Sequence, residues 1–378
     1  MTLISRVDDD DLAARVLNRT LIDYPRGSLA PIVADRTILI TGAGGYIGSA
    51  IAHLVAELAP RRVVLVDNSE LALYEVDRAL RFANPDLAIV LAFCDIRDST
   101  GLERLFAREH PDIVIHTAAL KHLPVLEVHP RDAVLTNVLG TANLAACCLS
   151  HGVRAMVHIS TDKAADPVSV LGASKRAAEA ILQAADAAGP TRCSSVRFSN
   201  VFGSTGSVVP LFLDQIAKHR KITITHPGMH RAFLTANEAV QLVLQVLSLS
   251  LEPNAPAAPV FVLEAGLPLS ITDLAHRLLD ASGAAPWAER IETIGMRRGE
   301  KLEESLSAPW EDRVATRYQF ISRAVAEPLD RAAVAQLADR ARAACDRFDE
   351  AAIVELLWQL GASPDAEAGM VPGMRAFA

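Results

Sequence analysis

From residue 37 onward the chain alternates short runs of β-branched and aliphatic residues with longer stretches whose apolar positions recur at helical spacing. Residues 37–41, 62–67, 88–93, 112–117, 155–160 and 194–198 each form a buried-looking apolar run, and the gaps between them are long enough for crossover helices. That alternation predicts repeated βαβ units, hence an α/β fold with a doubly wound parallel sheet. Ligands are then expected at the C-terminal ends of the strands.

Beyond Phe202 the rhythm breaks into loops bearing Gly, Ser and Pro, followed by strand-like runs at 221–225 and 260–263. The pattern predicts four parts: a lead-in over 1–35, with a helix over 9–18 and a turn at Tyr24-Pro25-Arg26-Gly27; a βαβ domain over 36–202, to which later segments return; a smaller, partly discontinuous lobe over 203–306; and a helical C-terminal segment over 307–378 that ends in a mobile tail. Residues 252–259 read as a surface connection and 331–360 as one or two amphipathic helices. The longest apolar stretch, 239–251, is interrupted by Gln241, Gln245 and Ser248 and is too short for a membrane span, so it reads as a core helix.

Composition narrows the classes of function. With 378 residues, 51% of them hydrophobic, the chain can bury a sizeable core. A net charge of −8 supplies no basic field for nucleic acid or an anionic membrane, so a phosphate-bearing ligand must be held by local donors. The N-terminus carries four consecutive aspartates and lacks the pattern of a secretory signal. The five cysteines have no metal-like spacing and read as reduced thiols in a cytoplasmic protein. The histidines His116, His158 and His226 likewise show no ligand spacing, and no metal is expected.

The sharpest local signal is Gly42-Ala43-Gly44-Gly45-Tyr46-Ile47-Gly48, set between an apolar strand and an apolar helix. Small residues there let the backbone turn tightly and bring its N–H groups to a pyrophosphate, while the helix N-terminus adds a positive dipole. Asp67 ends the following strand, where a carboxylate accepts from the adenosine ribose hydroxyls. It also repels a 2′-phosphate, and neighbouring Asn68 and Ser69 offer no guanidinium to hold one, so NAD is favoured over NADP. This is a Rossmann-type arrangement.

Asp95-Ile96-Arg97-Asp98, Thr117-Ala118-Ala119, and Asn137 with Gly140-Thr141 resemble the cofactor-lining landmarks of extended short-chain dehydrogenases/reductases. Longer motifs narrow the resemblance: Ala118-Ala119-Leu120-Lys121-His122-Leu123-Pro124, Ile159-Ser160-Thr161-Asp162-Lys163-Ala164, Gly203-Ser204-Thr205-Gly206-Ser207-Val208-Val209-Pro210, Thr225-His226-Pro227 and Arg297-Arg298-Gly299-Glu300-Lys301. Together they are similar to the bacterial polysaccharide-biosynthesis branch, whose characterised members are UDP-N-acetylglucosamine 4,6-dehydratases. Larger members of that branch carry a multi-span membrane region ahead of this domain; the present chain resembles the catalytic half, without a span. Homo-oligomerisation is implied by the same resemblance.

The reaction implied removes hydride from sugar C4 to NAD, eliminates water across C5 and C6, and returns hydride to C6. Carried over to this sequence, Thr161 bonds the C4 oxygen, Asp162 is the acid for the departing C6 hydroxyl, and Lys163 is the base at C5. Both roles require protonation states opposite to those in water, which burial favours and a close Asp162 carboxylate opposes for Lys163. Lys175 binds the nicotinamide ribose; one turn before it, where the dehydrogenase pattern has tyrosine, stands Leu171. The first deprotonation is then expected of another group, such as Asp162 directly or through water. The cofactor surface implied by the resemblance comprises Gly42, Gly45, Tyr46, Ile47, Asp67, Asn68, Ser69, Asp95, Ile96, Ala118, Ala119, Lys121, Asn137, Ser160, Lys175 and Val201. For the nucleotide sugar it comprises Lys121, His122, Asn200, Val208, Pro210, Thr225, Arg231, Arg297 and Glu300. Asn200, Arg231 and Arg297 are the phosphate candidates, Glu300 the acceptor for the uridine ribose; His122 is equally readable as a buried structural histidine. Tyr46, Ser199, His230, Ala232 and Arg298 depart from the branch's usual residues. Two alternatives stand beside this reading: an epimerase that returns hydride to C4, and a non-catalytic dinucleotide-binding module.

Overall fold

The computed structural model describes residues 6–264, 266–283, 290–327 and 329–361. Its central sheet has nine strands: β1 (Thr37–Thr41), β2 (Arg62–Asp67), β3 (Ile89–Phe93), β4 (Ile113–His116), β5 (Ala155–Ile159), β6 (Arg192–Arg197), β7 (Val260–Leu263), β8 (Asp312–Ala315) and β9 (Ile321–Val325). They lie in the order β8-β9-β7-β6-β5-β4-β1-β2-β3. The strands from β3 to β7 are mutually parallel, and β9 is antiparallel to both β7 and β8. Strand order reverses at β1, which pairs with β2 on one side and β4 on the other. A doubly wound sheet opens a ligand crevice beyond the carboxyl ends of its strands at such a point.

The six sequence-read strands of the first half match the structure to within two residues. β1 and β4 are buried throughout because helices cover both faces of the sheet. β3 differs: as the sheet edge it leaves Leu91 and Phe93 exposed, and an apolar run by itself does not distinguish edge from interior. Helices Tyr46–Ala56 and Ala236–Ser250 pack together on one face; Ser99–Glu109, Gly140–Ser150 and Val170–Asp186 cover the other. Residues 239–251 are thus a core helix. Among the described residues another helix, Pro130–Ser150, is long and apolar enough to cross a membrane, and 67% of its apolar window is buried inside the fold. All five cysteines are free thiols.

The part boundaries run differently from the sequence reading. Helix Arg6–Leu17 joins the smaller lobe, where Ala13 and Val16 pack with Phe212, Leu274 and Leu278. The following helix, Arg26–Val33, packs on Ala236–Ser250 in the sheet domain. Tyr24-Pro25-Arg26-Gly27 is therefore a helix start, with Pro25 at its cap. Helix Ala236–Ser250 itself belongs to the main core. The C-terminal segment contributes the β8–β9 hairpin before helices Arg331–Asp346 and Glu350–Gly361, the second of which lies on Val170–Asp186. The expected mobile tail falls outside the described residues. The smaller lobe is built from helices Val208–Ala217 and Ile271–Ala281 and two short strand pairs, Ile222–Ile224 with Ile291–Thr293 and His230–Arg231 with Leu269–Ser270.

Beneath the end of β5 lies a buried group of four charges. Arg197 on β6 meets Glu179 at 2.7 Å and Glu311 at 2.6 Å, and Arg176 meets Glu311 at 2.8 Å. Ser160, directly after β5, donates its hydroxyl to Glu179 at 2.6 Å. Burial alone pushes the Glu179 carboxyl up, but Arg197 and Arg176 outweigh it and hold the group below its usual value. The arrangement locks two strands, one helix and the loop before β8 into one register. Replacing Arg197 with methionine leaves two carboxylates with half their compensation in a dry site, and is expected to cost about 3–5 kcal/mol. Denaturant unfolding of Arg197→Met measures this; a loss below about 1 kcal/mol would mean that water reaches the network.

Candidate active site

The glycine loop is shaped by close approach. Gly42 has φ +64°, and a Cβ on it would lie 2.7 Å from the Ala118 backbone. A Cβ on Gly48 would lie 2.0 Å from the Gly42 carbonyl oxygen, so the helix that starts at Tyr46 sits hard against the loop it follows. Gly45 caps that helix in extended conformation, and Tyr46 and Ile47 form its first turn. The Asp67 carboxylate accepts from the Gly44 N–H and the Ser69 N–H, each at 3.0 Å. Ser69 is also the side-chain cap of helix Glu70–Ala83. Asn68 donates to Asp95 at 3.3 Å, and Ile96 packs over Gly140. The sequence-read cofactor residues around the β1, β2 and β3 ends are therefore contiguous.

The far wall follows β4. Buried Asn137 accepts from the Leu120 N–H at 2.9 Å and donates to the Leu120 carbonyl at 3.0 Å and to Ser174 at 2.9 Å, which fixes the segment carrying Ala118, Ala119 and Lys121. Lys121 and His122 are exposed. His122 faces Gly206, where a Cβ would meet the imidazole at 2.5 Å; the alternative of a buried structural histidine is thereby set aside. Tyr46 Oη donates to the Phe202 carbonyl at 2.9 Å, joining the cofactor loop to the entry of the smaller lobe beside Val201.

Thr161, Asp162 and Lys163 follow β5 in a short 3₁₀ turn, Asp162–Ala164, whose first N–H bonds the Phe198 carbonyl at 3.2 Å. Asp162 Oδ1 accepts from Thr161 Oγ1 at 2.9 Å and from Lys163 Nζ at 3.0 Å. Its other oxygen, Oδ2, is buried without a hydrogen-bond partner among the described residues. A buried carboxylate oxygen left unpaired is costly, and this one lies at a cleft from which a donor can reach it. Lys163 also stands 3.5 Å from Glu304, which in turn lies 3.8 Å from Arg231. Burial pulls the Lys163 amine down, but Asp162 and Glu304 outweigh it and hold the amine above its usual value. The opposition expected of the Asp162 carboxylate thus prevails over burial at Lys163, because Glu304 faces the amine as well. Glu304 itself is pushed up by burial, with Lys163 and Arg231 opposing.

Lys175 behaves in the opposite way. Its Nζ lies 2.9 Å from Nε2 of His158, and burial brings the amine down to about 7, with Glu179 opposing. His158 and neighbouring His116 are fully buried and held neutral, so each ring hydrogen-bonds without carrying charge. Leu171, one turn before Lys175, is buried in the cluster with Leu126 and Val134. Ser160, read as a cofactor contact, has its hydroxyl committed to Glu179.

The substrate candidates divide into two groups. Arg231 is buried and spends its guanidinium on the carbonyls of His230, Lys301 and Leu302, so it clamps the 301–304 loop beside Lys163 rather than standing open as a phosphate donor. Asn200 pairs with Phe233 in the short two-stranded ladder beside it. Val208 and Pro210 open helix Val208–Ala217, and the Thr225 hydroxyl faces Met229 Sδ. Arg297 is exposed, and Glu300 accepts from the Arg297 N–H at 2.9 Å. A cleft of about 650 Å³ reaches Asp162, Arg231 and Glu304, and three of the residues that depart from the branch pattern, Ser199, His230 and Ala232, also line it. Glu304, His158 and the Glu179–Arg197 pair were not identified from sequence: Glu304 sits in a charged run indistinguishable from a solvated loop. Among the described residues no group of three or more His, Cys, Asp or Glu is arranged to hold a metal ion.

Residues 38–326 match the family model described as polysaccharide biosynthesis protein. The chain is 38% identical to the capsular polysaccharide biosynthesis protein CapD of Staphylococcus aureus over 80% of this chain and 49% of CapD. It thus spans about half the length of that relative and, again at 49%, of the probable polysaccharide biosynthesis protein EpsC of Bacillus subtilis. It is 34% identical to a UDP-N-acetylglucosamine 4,6-dehydratase (inverting) of Campylobacter jejuni over 71% of this chain and 76% of the relative. A UDP-glucose 4-epimerase of Rickettsia canadensis is 33% identical over 72% and 77%. Among solved structures, Pen from Bacillus thuringiensis superposes with a TM-score of 0.70 at 30% identity, covering 79% of this chain and 90% of Pen.

The Lys175 environment yields a test by linkage. Between about pH 7 and the ordinary lysine value of 10.5 the unfolded chain binds a proton at this position that the native chain does not, so its contribution to stability rises with pH through that window. Below about 7 the full penalty of a buried ammonium is felt. Against Lys175→Met, which lacks the group, the native chain should gain in denaturant midpoint as pH rises through that range; a pH-independent difference would show that Lys175 does not titrate there.

Proposed function

The chain belongs to the polysaccharide biosynthesis protein family, and from that premise we propose that it is an NAD-dependent nucleotide-sugar 4,6-dehydratase acting on UDP-N-acetylglucosamine or a close relative. The observation that carries this reading is the Asp162–Lys163 pair at 3.0 Å, with a buried, unpartnered Asp162 oxygen, at the C-terminal end of a strand beside the switch-point crevice. Adjacent acid and amine are what water elimination next to a ketone requires.

The cofactor assignment rests on fit. Gly42, Gly44 and Gly48 have no room for a Cβ, the helix from Tyr46 offers its N-terminus, and Asp67 stands at the β2 end as an acceptor for ribose hydroxyls. Lys175 stands on the adjoining helix to bind the nicotinamide ribose. When bound, NAD supplies the acceptor for the C4 hydride and its donor to C6.

The chain's own residues then handle protons. With Leu171 in place of a phenol, Thr161 and Asp162 are the remaining route for the C4 hydroxyl proton: Thr161 Oγ1 already donates to Asp162 Oδ1 at 2.9 Å, so a proton accepted from C4 passes to the carboxylate. Protonated Asp162 then gives that proton to the C6 hydroxyl as it leaves. Lys163, as a free amine, takes the C5 proton that the C4 ketone acidifies and later returns a proton to C5. One proton passes from the C4 hydroxyl into the released water, and the sugar loses one water in all.

The similarity to a UDP-glucose 4-epimerase supports a second reading, in which hydride returns to C4 and no water leaves. Product mass after incubation with UDP-, GDP- and dTDP-sugars separates the two: dehydration lowers the mass by one water, epimerisation leaves it unchanged. In the proposed reaction Lys163→Met should slow water loss roughly a hundredfold to ten-thousandfold, the usual worth of a positioned general base, while dinucleotide binding persists. An unaltered rate would remove Lys163 from the base role.

A further inference from the structure

The proposed reaction needs Lys163 as a free amine, yet its surroundings favour the ammonium. Two carboxylates face it, Asp162 at 3.0 Å and Glu304 at 3.5 Å, and they occupy different positions in the reaction. Asp162 already has a task, because it must carry the C4 proton to the leaving hydroxyl. Glu304 comes from a separate loop. Arg231 holds that loop through the Lys301 and Leu302 carbonyls, and the His230 N–H adds a bond to the Leu302 carbonyl at 3.0 Å. Lys301 ties the same loop to the Asp166 side chain at 2.7 Å. The Glu304 carboxyl is thereby delivered to the amine with its side chain only 5% exposed.

We propose that Glu304 is a positioning residue for proton transfer: it accepts the proton that Lys163 must shed before its amine can act at C5. This rests on the dehydratase reading above. In the step an N–H bond on Lys163 Nζ breaks, an O–H bond forms on Glu304 Oε1, and the lone pair stays on Nζ. The pair remains neutral overall, so no charge has to cross the protein. After Lys163 has taken a proton from C5 and returned one, Glu304 gives its own proton back to the amine and the cycle closes. Burial favours the protonated form of Glu304, and the charged groups that face it are Lys163, Asp162, Arg231 and Lys301. Those facing Lys163 are Asp162, Glu304 and Arg231. Because the transfer is internal, the fraction of active amine does not depend on solvent pH between the two titrations of the pair.

The test is the pH dependence of water release from UDP-N-acetylglucosamine, with deuterium incorporation at C5 followed in parallel, for the full chain and for Glu304→Gln and Glu304→Asp. The native profile should be flat through the neutral range. Glu304→Gln keeps the shape of the side chain but cannot store the proton, so its rate should climb about tenfold per pH unit through the neutral range, since solvent must now remove the proton from Lys163. Glu304→Asp keeps a carboxyl and should restore the flat profile. A lysine ε-carbon NMR titration gives a readout independent of turnover: loss of one facing carboxylate should bring the Lys163 amine down. A Glu304→Gln profile parallel to the native one, whether at equal or uniformly reduced rate, would overturn the proposal. A native chain that never releases water from any nucleotide sugar removes the dehydratase reading, and this proposal with it.

Discussion

The structure turns on the four buried charges Arg176, Glu179, Arg197 and Glu311. Paired charges in a dry interior tolerate little displacement, because separating them leaves each with its desolvation cost and no partner. Here they set the distance between β5, β6, helix Val170–Asp186 and the loop before β8. Lys163 and Lys175 both hang from elements that this network registers: Lys163 from the turn after β5, Lys175 from the helix that carries Glu179 one turn further on. The Ser160 hydroxyl makes the link direct, since it anchors the residue next to Thr161 onto Glu179.

The two lysines have opposite tendencies, and the cause is local. Lys175 lies against the neutral imidazole of His158 with Glu179 as its opposing carboxylate, so desolvation dominates and the amine comes down to about 7. Lys163 faces Asp162 and Glu304, so attraction dominates over the same kind of burial. Burial alone is thus no guide to the charge of a buried lysine; the count and distance of facing carboxylates decide it. An amine near neutrality suits a group that must bond to a hydroxyl without carrying a large permanent field. A firmly protonated amine suits a group that is discharged only when a specific acceptor takes its proton.

The sequence was most legible where chemistry depends on short spacing. The βα rhythm gave the first six strands, the glycine run gave the cofactor loop, and Asp67 and Thr161-Asp162-Lys163 could be placed because strand ends in such a sheet face one crevice. What stayed hidden depends on contacts between distant segments. Glu304 reaches Lys163 only because Arg231 and Lys301 fold its loop back, and nothing in Glu300-Lys301-Leu302-Glu303-Glu304 distinguishes it from a solvated charge run. His158 reads as one residue of an apolar strand until Lys175 is seen against it. The β8–β9 hairpin was missed because two short, half-exposed strands at a sheet edge lack the apolar runs that marked the interior ones. Arg231 shows the converse limit: the sequence offers a cation, and only the structure shows that three of its N–H groups bond main-chain carbonyls.

Dehydration and epimerisation differ in how many protons a site must manage. Transient oxidation at C4 moves one proton off a hydroxyl and back, and one acceptor suffices. Elimination of water adds a proton leaving C5, a proton joining the departing hydroxyl and a proton returning to C5, and these events must not interfere. Around the end of β5 this chain gathers Thr161, two carboxyl groups and an amine, with Asp162 bonded to Thr161 and Lys163 and the Lys163 amine set between two carboxylates. For a single reversible proton transfer that set is larger than needed, and its second carboxylate would only trap the amine as a cation. In the proposed elimination each member would have a separate proton to carry, which would give a reason for burying so many titratable groups in one place.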